Sequence, residues 1–308
     1  MILLNVLSLL GNVLVCISVY RNTRLRTSTN VYIVALAISD LLSAIFVMPL
    51  ATGVLISGRW LFGGAVCQMQ AFMAQFVVYI SPVTMGLTAI SRYVRICKSD
   101  QQYKRFFSNR KSLILIASAW MFVACYILIV RLSGLQEFQF VPGYAVCMNV
   151  HLRKFGKIVH YLLVIGLFSL FPLIATLSSY RKVSKHIREH NMGVVQALQS
   201  HSGDVMTVNI QEIRICRSMV VIVFAFTLCW IPTWVIAILA RFHIIARMPR
   251  GIQLLCTFLV NLSSTLNPFI YAGMNPLFRR EFRRLLFCKV SERVVDSIRS
   301  TPGPNTLP

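Results

Sequence analysis

The sequence predicts an all-α membrane protein, a bundle of seven transmembrane helices followed by a short amphipathic eighth. Three observations predict it. Hydrophobic residues make up 56% of the 308 and charged residues 13%, a balance too apolar for a water-soluble domain. Seven runs reach the roughly 20 mostly apolar residues needed to cross about 30 Å of hydrocarbon. The Lys and Arg residues gather in the joints that would lie on one side of the bilayer.

The spans are expected near residues 1–20, 29–57, 64–96, 110–132, 156–181, 214–242 and 251–274, within one receptor-sized domain, 1–288. The first run opens at Met1 without a basic stretch before it or a polar mature chain after it, so it reads as a helix and not as a signal peptide. Its extracellular end is expected to lie beyond this chain. Prolines 49, 82, 172, 232 and 268 fall inside spans and are expected to kink them without ending them. The joint 182–213 and the cytoplasmic tail 289–308 are polar and read as loops. No internal inverted repeat suggests a transporter, no continuous polar path suggests a channel, and no nucleophile and base pair within the spans suggests an enzyme.

Seven spans put the termini on opposite sides. With the C-terminus inside, 23 of the 31 Lys and Arg are cytoplasmic, which predicts an extracellular N-terminus and a cytoplasmic C-terminus in the plasma membrane. Topology and attraction to anionic lipid then account for most of the net charge of +22, and no nucleic-acid partner is needed. On the outer side Arg59, Arg131, Arg153, Lys154, Lys157, Arg241, Arg247 and Arg250 face one acid, Glu137. This basic rim either steers an acidic ligand or is simply solvated.

The same topology sorts the cysteines. Cys67, at the start of the third span, and Cys147, in the second outer loop, are the two on the oxidising side, and they are expected to pair. Closing so long a loop is worth about 4 to 5 kcal/mol in the chain-entropy picture. Inside the membrane, Asp40 carries an ionisable group that costs about 3 kcal/mol to insert. With Asn12, Ser81, Ser263, Ser264 and Asn267 it would line a pocket for water or a cation, or it is protonated and hydrogen-bonded between helices. After the seventh span, Asn275 and Pro276 read as N-cap and first residue of a helix over 276–287. Leu277, Phe278, Phe282, Leu285 and Leu286 form its apolar half, and Arg279, Arg280, Arg283 and Arg284 the basic half, as expected for a helix lying on membrane lipid. Cys288 at its end fits palmitoylation or a buried free thiol.

The motifs run in order through nearly the whole chain. They are Gly11-Asn12, Leu36-Ala37-Ile38-Ser39-Asp40, Trp60 with Cys67, Ser91-Arg92-Tyr93, Trp120, Pro172 with Tyr180, Cys229-Trp230-Ile231-Pro232 and Asn267-Pro268-Phe269-Ile270-Tyr271. Together they resemble the rhodopsin-like class of G-protein-coupled receptors. The stretch from Arg92-Tyr93 through Ile96-Cys97 to Lys111-Ser112 is similar to melatonin receptors, though Val130 and His151 stand where a ligand-binding Asn and Gln would be expected there.

The resemblance implies an extracellular ligand, a heterotrimeric G protein, possible engagement of arrestin, and activation by outward movement of the sixth helix. It implies that Arg92 meets the G protein, that Tyr180 and Tyr271 rotate inward on activation, and that Asp40 with Ser81 holds a structural sodium ion; no other cofactor is implied. Around the ligand it sets Ala74, Gln75, Trp230, Trp234 and Asn261. Ala74 replaces the Asp that pairs with amines, and Asn261 replaces the Lys that binds retinal, so both ligand types are argued against. Two departures stand out. Ser263 replaces an Asn of the sodium pocket, and Ser91 replaces the acid that normally restrains the arginine. With Ser91 offering only a neutral hydrogen bond, Glu212 would carry most of the restraint on Arg92, and the resting state would be weakened by about 1 kcal/mol, roughly fivefold. A non-coupling decoy or scaffold is the alternative that Ser91 leaves open.

Overall fold

A computed structural model of the chain describes residues 1–151, 154–199, 210–242 and 248–287; the side chains of 151–155, 190–199, 210–219 and 241 lie outside that description. Among the described residues, seven helices are long and apolar enough to cross a membrane: Ile2–Arg21, Asn30–Ser57, Gly63–Cys97, Asn109–Leu132, Gly156–Glu189, Val220–Ala240 and Arg250–Met274. The chain is a seven-helix bundle. Its outward faces carry exposed apolar side chains, among them Leu10, Phe122, Ile129, Leu162, Ile174, Phe224 and Leu228, which suit lipid and not water. Polar groups such as Asn12, Asp40, Arg92, Asn261 and Asn267 are buried between the helices.

In chain order the elements begin with α1 (Ile2–Arg21), α2 (Asn30–Phe46), α3 (Met48–Ser57) and α4 (Gly63–Cys97). Then come α5 (Asp100–Phe107), α6 (Asn109–Leu132), and the strands β1 (Gln136–Val141) and β2 (Val146–His151). The remainder are α7 (Lys154–Ile165), a π-helical turn (Gly166–Leu170), α8 (Phe171–Gln199), α9 (Ile210–Arg241), α10 (Arg250–Met274) and α11 (Pro276–Leu286). The third span, α4, lies at the centre and packs against the second, fourth, fifth and sixth as well as both strands.

Two sequence expectations are corrected. Pro49 does more than kink the second span: the helix is interrupted at Val47, between α2 and α3, because proline has no N–H to donate and its ring crowds the carbonyl four residues back. The joint 182–213 is not a loop throughout, since α8 continues to Gln199 and α9 begins at Ile210. Residues 181–199 contain no proline, and Lys185 and Glu189 pair along the helix at 3.8 Å. Pro82, Pro232 and Pro268 lie inside continuous helices.

The first and seventh spans touch where Gly11 faces Pro268. A Cβ at Gly11 would come within 2.8 Å of the proline ring, so glycine is what lets these helices meet. At the other end, Asn275 caps α11 by accepting the Leu277 N–H at 3.0 Å. The apolar half of α11 divides its contacts. Phe278 and Phe282 are buried in the cytoplasmic core beside Tyr271, and Leu286 is exposed with the four arginines. The wheel alone had all five apolar residues facing lipid; two of them are buried in the bundle, and Leu277 packs partly against it. Cys288 and the tail 289–308 lie outside the described residues.

Candidate functional site

The outer end of the bundle is roofed by the β1–β2 hairpin, whose antiparallel register pairs Phe140 with Cys147 and Val141 with Val146. Cys147 is bonded to Cys67 on α4, with Cα atoms 5.4 Å apart. The Cys147 N–H also donates to Gln70 Oε1 at 2.8 Å, and Gln70 Nε2 donates at 3.1 Å to the carbonyl of Val47, at the break in the second span. The hairpin tip is tied to the seventh span, where Thr257 Oγ1 donates to the Tyr144 carbonyl at 2.7 Å. Gly143 lies against the carboxamide end of Gln253, which any side chain there would have to push aside.

Beneath this roof is a cavity of about 190 Å³. Ala74, Gln75, Trp230, Trp234 and Asn261 all line it, together with Tyr79, His160 and Tyr161. No Asp, Glu, Lys or Arg is among the described residues that line it. The outer basic residues stand apart from it: Arg131 lies over the Phe138 ring at 5.8 Å, Lys157 over Phe242 at 5.2 Å, and Arg59 and Arg250 are exposed. The side chains of Arg153, Lys154, Arg241 and Arg247 are outside the described residues. A steering role for this rim therefore does not extend to the described walls of the cavity.

One wall is a chain of hydrogen bonds that sequence reasoning missed. Gln136 Nε2 donates to Gln75 Oε1 at 3.4 Å, and Gln75 Nε2 donates to the Tyr79 hydroxyl at 2.9 Å. Tyr79 then meets His160 Nε2 at 3.3 Å, and His160 Nδ1 meets the Tyr126 hydroxyl at 3.0 Å. Either partner can donate in the two tyrosine–histidine contacts, according to the imidazole tautomer. The only sequence signal was His160 itself, an ionisable residue inside an apolar run.

Trp230 forms the cavity floor. Its indole N–H donates to Ser263 Oγ at 3.2 Å, and its ring stacks on Phe226 with centroids 5.0 Å apart. Below it, Asn267 Nδ2 donates to Asp40 Oδ2 at 2.8 Å, joining the seventh span to the second. Asn12 Nδ2 donates to the carbonyls of Ser8 at 2.9 Å and Ser264 at 3.3 Å. Ser81 Oγ donates to the Val77 carbonyl at 2.9 Å on its own helix. Tyr180 and Tyr271 are buried in one apolar cluster, with Tyr271 stacked on Phe278 at 5.5 Å.

At the cytoplasmic end Arg92 is fully buried. Its Nη2 donates at 2.9 Å to Asn30 Oδ1, and Asn30 is itself held by donating from Nδ2 to the Leu25 carbonyl at 2.8 Å. Ser91, expected to offer the arginine a neutral hydrogen bond, does not: its buried Oγ has no partner among the described residues. Asn30, on the neighbouring helix, takes that place, and sequence reasoning missed it because a polar residue at a helix start reads as a cap. The Glu212 side chain lies outside the described residues. Tyr93 is half-buried, with the ammonium groups of Lys182 and Lys98 at 5.2 and 6.0 Å from its ring. In α5, Asp100 is hydrogen-bonded by Lys104 and Arg95, which hold its carboxyl below the usual carboxylate range.

Comparison with known proteins agrees with this architecture. A family model described as 7 transmembrane receptor (rhodopsin family) matches residues 11–271. Melatonin receptor type 1A of Mus musculus is 26% identical, with 97% of this chain and 85% of the relative covered. The pyroglutamylated RF-amide peptide receptor of Mus musculus is 26% identical, covering 93% of this chain and 69% of the relative. The crystal structure of squid rhodopsin superposes with a TM-score of 0.78 at 21% identity, over 98% of this chain and 89% of that one, a likeness of fold.

Proposed function

This chain belongs to the rhodopsin family of seven-transmembrane receptors, and from that premise we propose that it takes an extracellular ligand into the cavity beneath the β1–β2 hairpin and activates a heterotrimeric G protein through Arg92. The family fixes the coarser statements: it is a multi-pass plasma-membrane receptor of the class that signals through G proteins, and not an enzyme. The finer reading concerns orientation, ligand site and switch. The basic joints support a cytoplasmic C-terminus and an extracellular hairpin.

The observation that carries the reading is the buried guanidinium of Arg92. A charge with no exposed surface costs several kcal/mol unless it is paired, and its retention at the cytoplasmic end is understood if it is released when the sixth helix moves outward and meets the G protein. Trp230 supports the link to the ligand, since it lines the cavity and is hydrogen-bonded to the seventh span that also bears Asn267, Pro268 and Tyr271. A sodium ion fits the same reading. Asp40 would supply the charge and Ser81 a hydroxyl oxygen, whose lone pairs remain available while its proton goes to Val77. Arrestin on the cytoplasmic face and anionic lipid against the arginines of α11 complete the proposed partners.

The ligand site is tested by G-protein recruitment in cells challenged with a broad ligand panel, comparing the natural chain with Ala74→Trp, which fills the cavity. Agonist response should be lost in Ala74→Trp at equal surface expression. A response of undiminished potency would remove the cavity from the account, and no response to any ligand in the natural chain would favour the decoy reading that Ser91 raises.

A further inference from the structure

We propose that the crevice between the fifth and sixth spans, beside Trp230, takes up the end of an unbranched acyl chain from a membrane lipid, and that this chain holds the sixth span in its resting position. The site stands on the geometry of the crevice; the restraint rests on the reading that the sixth helix moves outward on activation.

The crevice has a volume of about 90 Å³. Pro82 and Met85 of the third span line it, together with Leu173 and Thr176 of the fifth and Thr227 and Ile231 of the sixth. It runs from buried Met85 out to Ile231, which is 57% exposed, and Phe224, Leu228 and Ile174 nearby are exposed too. These residues lie within membrane-spanning helices, so hydrocarbon and not water stands at the mouth. The space originates in the fifth span, where the π-helical turn Gly166–Leu170 leads into Pro172. Pro172 lies against Gly86 of the third span, and a Cβ at Gly86 would come within 3.3 Å of its Cα. Glycine thus lets the fifth span lean onto the third, which leaves the side toward the sixth open.

Hydrocarbon does not leave such a space empty, because lining atoms without neighbours lose their dispersion contacts. No hydrophobic driving force acts between lipid and helix, so fit decides what enters. At about half the volume of the outer cavity, the crevice admits the end of a chain and not a fused-ring body. Its described donors ask for no polar partner. Thr176 Oγ1 donates to the Pro172 carbonyl and Thr227 Oγ1 to the Val223 carbonyl, each at 2.7 Å, the Trp230 N–H goes to Ser263, and Ser169 Oγ is itself buried. Trp230 and Trp234 line both this crevice and the outer cavity, and Phe226, stacked on Trp230, lines the crevice as well. A chain seated here touches the same aromatic wall that bounds the outer cavity. Outward movement of the sixth span parts Thr227 and Ile231 from Leu173 and Thr176, so the chain binds the resting arrangement better and thereby stabilises it.

The test uses the full chain in lipid nanodiscs containing a trace of phosphatidylcholine with a diazirine at the end of one straight acyl chain. After irradiation, mass spectrometry should find label denser on Leu173, Thr227 and Ile231 than on the exposed Phe122 and Leu128 of the fourth span. The excess should be lost in Thr227→Phe and, independently, in Leu173→Trp, which fill the crevice from facing helices. Label no denser than on the fourth span, or an excess that survives both fillings, overturns the inference. Nucleotide exchange on purified heterotrimeric G proteins of each class is measured with the same receptor in palmitoyl-oleoyl and in methyl-branched diphytanoyl phosphatidylcholine. Branched chains are too broad for the crevice, so exchange should be about fivefold faster in them, and the difference should disappear in both filled variants. Equal exchange in the two lipids, or a difference that persists in both filled variants, overturns the restraint and with it the inference. No exchange in either lipid is instead the failure of the Arg92 reading, and the labelling then decides the site alone.

Discussion

A guanidinium with no exposed surface is among the most demanding groups a fold can hold, and in this receptor an amide on the second span is one of the groups that hold it. The hydrogen bond from Arg92 to Asn30 crosses from the third span to the second, and a bond from a charged donor is worth about 1.5 to 3 kcal/mol. Asn30→Leu removes this bond and should shift the resting equilibrium by up to about tenfold, raising basal G-protein activation in cells at equal surface density. Ser91→Ala should leave basal activation unchanged, because Ser91 Oγ bonds nothing among the described residues. The opposite pattern, with Ser91 sensitive and Asn30 silent, would return the restraint to the residue beside the arginine. Arg92 itself was legible in the sequence, since Ser91-Arg92-Tyr93 sits at the foot of a long apolar run. Its partner was not, because the contact depends on how two helices pack and no spacing along one chain encodes it.

Among the elements, the outer hairpin is held at two places that can be tested separately. The Cys67–Cys147 bridge closes a sequence separation of 80 residues, worth about 4 to 5 kcal/mol in the chain-entropy picture, and Cys147→Ser should lower both the unfolding midpoint and surface expression. Gly143→Leu attacks the other end. A leucine there must displace the Gln253 carboxamide, whose Nε2 donates to the Met248 carbonyl, and should loosen the hairpin tip from the seventh span, weakening ligand binding while mass spectrometry still finds the bridge intact. Binding unaffected by Gly143→Leu would mean that the tip does not shape the cavity. The bridge could be read from topology, because the two cysteines share the oxidising side. The strands and the break at Val47 were harder: Pro49 announces a disturbed helix, but whether it bends or breaks depends on what accepts and donates around it, here the Val47 carbonyl receiving Gln70.

On the scale of the whole molecule, the seven spans were legible because the bilayer imposes length and polarity on every one of them, and the motifs in nearly every span carried the family. The cavity was legible only in part. Ala74, Gln75, Trp230, Trp234 and Asn261 line one space, yet the chain from Gln136 to Tyr126 assembles residues of the hairpin and the third, fourth and fifth spans, a set that only the folded bundle brings together. The outer cavity and the buried cytoplasmic arginine lie at opposite ends of the bundle, and the central claim is that this arginine couples to G protein. The most direct measurement is nucleotide exchange on purified heterotrimeric G proteins of each class, catalysed by receptor reconstituted in lipid nanodiscs. Receptor bearing Asn30→Leu should accelerate exchange on at least one class above empty nanodiscs, and adding Arg92→Ala to it should abolish the acceleration. Exchange that survives the loss of Arg92, or none on any class with the Asn30 bond removed, would contradict it.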